Sequence, residues 1–153
     1  MRINCGGYNR GSFEKDPGFL EGACGFRTEA VEMDGCPNAG PMDIYRTVRW
    51  GESTYSNLMT RANASYTVRL HLAESEKSKG PGRNKMDVQV NGQTVCKDLD
   101  PAAAGVNHAG TVDIPHVKSD DKGFVVLSFV KGKKIDKEDR DPRINGFEIL
   151  PEK

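Results

Sequence analysis

Between Tyr66 and Glu74, apolar and polar residues alternate. Tyr66, Val68, Leu70 and Leu72 point one way, while Thr67, Arg69, His71 and Ala73 point the other. A period of two sustained this long predicts a half-buried β-strand, with His71 on its outer face. Met86 to Leu99 alternates in the same way around Asn91-Gly92. That dipeptide suits a type I′ hairpin turn, in which both central residues need positive φ. A two-residue loop pairs Val90 with Gln93 and Val88 with Val95. It thereby predicts Val88, Val90, Val95 and Leu99 on one face.

The remaining chain reads as short extended pieces. Arg2 to Cys5 is a first strand, stopped by Gly6-Gly7. Tyr8 to Pro41 has no sustained period and predicts a long loop, pinned by Phe13, Phe19, Leu20 and Phe26. Ile44 to Arg49 predicts a strand, and Thr54 to Ser56 another short one. After a polar loop from Ser75 to Asn84 comes the hairpin. Asp100-Pro101-Ala102-Ala103-Ala104 suits one helical turn, with Asp100 as cap and Gly105 as stop. Val112 to Val117 holds Pro115 and reads as an edge or bulged strand. Phe124 to Val130 is almost wholly apolar, which predicts a strand buried on both faces. Lys131 to Arg143 is a charged loop, and Ile144 to Leu150 is the last strand. Eight or nine short strands with hardly any helix predict an all-β sandwich or barrel.

Composition narrows the function. The chain has 153 residues, which suits a single domain over 1–153. Lys+Arg and Asp+Glu both number 22. This balance argues against a nucleic-acid partner, and no apolar run is long enough for membrane insertion. The amino terminus lacks an apolar signal segment, so the expectation is a cytosolic protein, or a secretory one if the chain is an excised domain. The four cysteines, Cys5, Cys24, Cys36 and Cys96, form no C-x-x-C pair, so zinc is not expected. Cys24 and Cys36 could be joined in an oxidising compartment, whereas Cys5 and Cys96 read as small core residues. The acidic run Asp136, Glu138, Asp139 and Asp141 lacks the spacing and glycine of a calcium loop. His71, His108 and His116 lie far apart, and no cofactor or metal is expected. Asn63-Ala64-Ser65 fits an N-glycosylation site, relevant only in a secretory setting. No Gly-x-Ser-x-Gly elbow or readable carboxylate pair suggests an enzyme.

Five pieces in order carry a family resemblance: Ile-Asn-Cys-Gly-Gly near the start, Ile-Tyr-Arg-Thr-Val-Arg-Trp-Gly, Tyr-Thr-Val-Arg-Leu-His-Leu-Ala-Glu, Met-Asp-Val-Gln-Val-Asn-Gly-Gln-Thr-Val-Cys-Lys-Asp-Leu-Asp and Ile-Asn-Gly-Phe-Glu-Ile-Leu. From Ile3 to Leu150 the chain resembles malectin and the malectin-like domains. The resemblance implies a jelly-roll-type β-sandwich with at most one short helix. It also implies a non-catalytic carbohydrate-binding module for a glucose-type or related oligosaccharide. Relatives in receptor kinases and kinesins imply the alternative, a protein-interaction or positioning domain joined to other domains of a larger parent chain.

The resemblance places Trp50 where the family has a binding aromatic, after Thr47-Val48-Arg49. The family's second aromatic pair, after Ala-Glu, is replaced here by Ser75, Glu76 and Lys77. Its aspartate before the last strand falls on Arg140, between Asp139 and Asp141. Phe26 and Tyr8 are the candidates for a first-loop aromatic. The axial C–H face of a pyranose can stack on the Trp50 indole. Glu76, Lys77, Arg83, Arg140 and Asp141 could then supply charge-assisted hydrogen bonds to hydroxyls. A cleft that gathered both charged loops would suit an anionic sugar or a peptide as well as neutral glucose.

Overall fold

A computed structural model describes residues 1–17, 21–76, 80–132 and 141–153. In chain order its elements are β1 (Arg2–Asn4), β2 (Glu14–Lys15), β3 (Ala23–Phe26), a 3-10 helix (Met42–Arg46), β4 (Thr47–Trp50), β5 (Ser53–Met59) and β6 (Ser65–Leu72). There follow β7 (Met86–Val90), β8 (Gln93–Leu99), β9 (Gly110–Lys118), β10 (Phe124–Lys131), β11 (Arg143–Ile144) and β12 (Gly146–Pro151). They make a five-stranded sheet ordered β2-β1-β12-β6-β9, a four-stranded sheet ordered β5-β10-β7-β8 and a small sheet ordered β11-β4-β3. The fold is the all-β, jelly-roll-type sandwich that the sequence predicts, with one short 3-10 helix among the described residues. Among the described residues no helix is long and apolar enough to cross a membrane.

The main core lies between the two larger sheets. Val68, Leu70 and Ile149 from one meet Val88, Leu127 and Phe129 from the other, all buried. A second cluster of Phe13, Val31, Ile44, Tyr45, Ala73 and Ala109 packs the first long segment onto the end of β6. This covering places His71 in the interior, not on an outer face. It is fully buried, its Nδ1 2.8 Å from Tyr45 Oη and its Nε2 3.0 Å from Glu148 Oε1. Phe13 does pin the long segment, but Phe26 is 67% exposed and does not. Phe19 and Leu20 lie outside the described residues.

Several expectations need correction. The first half of Ile44–Arg49 is the 3-10 helix, because a helical turn lets the adjacent residues Ile44 and Tyr45 both reach the second cluster. The turn at Asn91-Gly92 forms as expected, with φ of 50° and 79° and Val90 opposite Gln93. One residue later the register slips. Gln89 faces Thr94 and Val88 faces Cys96, so Val95 is the extra residue of a bulge and is 42% exposed. β10 is buried on one face, at Val125, Leu127 and Phe129, and only partly covered on the other. At Asp100–Ala104 there are successive turns instead of a helix, although Asp100 Oδ1 does accept the Ala102 N–H at 2.9 Å. Pro115 sits on β9, an edge strand with a bulge, where the missing N–H is tolerated. All four cysteines are free thiols, Cys24 exposed and Cys5 buried, so Cys24 and Cys36 are not joined.

Candidate functional site

The small sheet sets one wall of a cleft. In β4 the inward residues Thr47 and Arg49 are buried, while Val48 and Trp50 are half-buried on the opposite face. Arg49 faces inward because Asp16 awaits it. Its Nε lies 2.9 Å from Asp16 Oδ2, and both side chains are almost wholly buried. The same carboxylate oxygen accepts the Gly6 N–H and, at 3.3 Å, the Tyr55 hydroxyl. This buried pair ties the first segment to β4 and β5, and it fixes which face of β4 Trp50 occupies.

The cleft encloses about 380 Å³. Gly25, Phe26 and Arg27 line it from β3 and its end, Arg46 from the 3-10 helix, and Val48 and Trp50 from β4. Ser75 and Glu76 enter from the loop after β6, and Asp141 and Arg143 from the approach to β12. Trp50 stands opposite Ala23 on β3 and opposite Arg143 on β11. The described ends of the two charged loops, at Ser75 and Glu76 and at Asp141 and Arg143, therefore line the same cleft as the tryptophan.

Among the described residues, three arginines and two carboxylates share this lining. Arg27 is held by neutral oxygens: its Nη2 donates to Tyr45 O at 2.8 Å and Ala73 O at 3.0 Å, and its Nη1 to Asn107 Oδ1 at 3.0 Å. Burial lowers its pKa, only partly offset by nearby Glu74. Arg143 donates from Nη1 to Glu74 Oε1 at 3.1 Å and from Nη2 to Glu76. Glu74 is fully buried and also accepts the Asn84 amide at 3.1 Å and the Glu76 N–H at 2.9 Å. Asp141 lies 3.6 Å from Lys131 Nζ. The Nε atoms of Arg46 and Arg143 are buried without a hydrogen-bond partner among the described residues. The cleft thus carries charges of both signs, with Glu74 beneath Arg143 and Asp43 3.5 Å from Arg46, and is walled by an aromatic ring. Such a surface can stack a flat apolar face and bond acceptor-rich edges.

Of the sequence candidates, Trp50, Phe26, Glu76 and Asp141 share the cleft. Tyr8, 77% exposed on the turn after β1, does not line it, and neither does exposed Arg83. Arg140, with Lys77 and Asp139, lies outside the described residues. Arg27, Arg46 and Arg143 were missed, as was the anchoring role of Glu74. Arginines beside strand ends were the available signal, but no spacing in the sequence shows that three of them converge. Among the described residues no group of three or more His, Cys, Asp or Glu could hold a metal ion.

The sequence model of the malectin domain matches residues 1–130. No curated protein matches the chain. Among solved structures, the extracellular domain of ANXUR2 from Arabidopsis thaliana superposes with a TM-score of 0.81 at 18% identity, over 99% of this chain and 48% of that one. The structure of plant peptide RALF23 in complex with FER and LLG2 matches with a TM-score of 0.81 at 17% identity, over 98% of this chain and 48% of that one. A calcium-binding mutant of Bacteroides uniformis β-glucuronidase 2 matches with a TM-score of 0.71 at 13% identity, over 100% of this chain but 18% of that one. The chain therefore spans about half the length of the receptor ectodomains it resembles. With a fold shared with these structures and the family's own sequence pattern over most of its length, the chain belongs to the malectin domain family.

Proposed function

We propose that the 153 residues form a single non-catalytic binding domain whose ligand is an oligosaccharide held against Trp50. The observation that carries this reading is the position of the indole, half-buried in the wall of an open cleft that four other chain segments line. A pyranose stacks its C–H face on the ring while Arg27, Arg143 and Glu76 bond its hydroxyls. Arg27, whose hydrogen bonds among the described residues go to neutral oxygens alone, favours a sugar that carries a carboxylate over neutral glucose. The test is titration of neutral glucose disaccharides and uronate-containing oligosaccharides, followed by the fluorescence of Trp50. Saturable quenching that is stronger for the uronates, and whose binding is abolished by Trp50→Ala in calorimetry, is the expected result. Silence across a broad glycan array overturns the reading.

A second reading has its own support. The aromatic pair that the family resemblance leads one to expect after Ala73-Glu74 is replaced by Ser75-Glu76-Lys77, and one structural neighbour was solved with a peptide. On this reading the cleft holds an extended peptide presented by a partner protein or by another domain of a larger chain. Capture of a peptide ligand that survives excess oligosaccharide, and is lost on Arg143→Ala, would favour it over the first.

A further inference from the structure

Gly25 sits inside β3, where a glycine weakens a strand unless something approaches closely. Its backbone does not call for glycine, because its φ is not among the positive ones of this chain. Space does call for it. A β-carbon at position 25 would lie 2.5 Å from Trp50 Cζ3, 3.2 Å from Cη2 and 3.5 Å from Cε3. All three atoms belong to the six-membered ring of the indole. The register explains the approach. Gly25 faces Val48 across the strand pair, and Trp50 lies two residues further along β4 on the same face. The six-membered ring therefore turns its Cζ3 edge toward Gly25, into the place a side chain would fill. That edge abuts the β3 backbone, and the ring lines the cleft beside it.

We propose that Gly25 is the positioning residue of the cleft: it lets the outer edge of the Trp50 ring seat against β3 and so sets how far the ring projects into the opening. The proposal rests on Trp50 as the binding platform. Any side chain at position 25 lifts the ring off the strand, and the free direction is into the cleft. The glycine thereby keeps the opening wide enough for a ligand to reach the indole, and a displaced ring would narrow it.

Trp50 is the only tryptophan, so its emission reports this ring alone. In Gly25→Ala, without any ligand, the emission maximum should move to the red and the acrylamide quenching constant should rise about two-fold, as overpacking forces the ring outward. A double-mutant cycle separates position from strand propensity. Gly25→Ala should lower the urea midpoint when Trp50 is present. It should not do so in the Trp50→Phe background, because a phenyl ring does not reach as far as the outer indole carbons. That double variant also remains measurable if Gly25→Ala alone fails to fold. Unchanged emission and quenching in Gly25→Ala, or an equal midpoint shift in both backgrounds, overturns the proposal. Titration with the neutral and the uronate-containing oligosaccharides runs in parallel. A wild-type response retained in full by Gly25→Ala also overturns it, whereas silence of the wild type counts against the carbohydrate reading alone.

Discussion

Asp16 and Arg49 form an ion pair almost wholly removed from solvent. Their side chains are only 5% and 2% exposed, so removing one leaves the other buried without its counter-ion. Asp16→Asn is expected to destabilise by about 3 kcal/mol, read from urea denaturation. Arg69 and Asp113 form the contrasting case. Their contact is shorter, at 2.7 Å, but Asp113 is 44% exposed, and Arg69→Ala should cost less than about 1 kcal/mol. Burial, not distance, separates the two pairs. His71 supplies the pH dependence. Tyr45 Oη accepts the Gly40 N–H at 3.2 Å and donates to His71 Nδ1, so the ring proton sits on Nε2 and is shared with Glu148. Burial pushes the imidazole below its ordinary value of 6.5, with the Glu148 carboxylate only partly opposing it. Burial also works against the Glu148 charge, but Arg2 and His71 hold that carboxyl below the usual range. Both groups bind protons more readily when unfolded. Their stabilisation is present above the unfolded values and is lost as pH falls, for His71 starting near 6.5. His71→Gln keeps a donor and an acceptor but cannot titrate. Its urea midpoint should lie below wild type at pH 8 and fall less steeply between about pH 6.5 and 5. None of these partnerships was legible in the sequence. The partner of His71 at Glu148 is 77 positions away and that of Arg49 at Asp16 is 33 away, and strict alternation had set His71 outside.

Among the elements, the β7–β8 hairpin shows how far a local pattern reaches. Asn91-Gly92 specifies its own turn because both residues tolerate left-handed backbone, and that much was readable. The bulge at Val95 was not, since an extra residue leaves no mark on apolar alternation and the valine remains a good strand former either way. Asp98, with φ of 53°, accompanies the second slip and returns Leu99 to the core opposite Met86. The corrected register makes a direct prediction. Val95→Lys should change stability by no more than about 0.5 kcal/mol, whereas Val88→Ala, on the buried face, should cost about 2 kcal/mol. A large loss on Val95→Lys would restore the simple alternation. The 3-10 helix teaches the same lesson from the other side. Ile-Tyr-Arg-Thr-Val-Arg-Trp reads as one strand by composition, but two adjacent side chains there serve the second cluster, and a strand could turn only one of them inward. The five ordered pieces of sequence located the sandwich and Trp50. They did not locate Arg27, Arg46 or Arg143, whose convergence depends on three separate chain returns.

For the whole molecule, the two clusters divide the work. The inter-sheet core holds the sandwich together, and the second cluster with the Asp16–Arg49 pair fastens the long first segment over its end, against which the cleft is built. None of this depends on a covalent cross-link, since all four cysteines are free. Thiol chemistry can therefore report how the parts open. Cys24 is exposed on β3 and should be alkylated in the native state, with Cys36 and Cys96, partly covered, following more slowly. Cys5 is fully buried, and burial beside Tyr55 raises its pKa far from the reactive thiolate range, with only partial relief from the hydroxyl. It sits between β1 and the Asp16–Arg49–Tyr55 group, so a reagent reaches it only when the first segment and both sheets part together. Native-state labelling mapped by peptide mass should then give Cys5 a rate equal to that of global unfolding, slowed by every substitution that stabilises the fold and quickened by Asp16→Asn. If Cys5 is alkylated well ahead of global unfolding, the first segment opens by itself, and the second cluster is a hinged cover instead of part of the cooperative core.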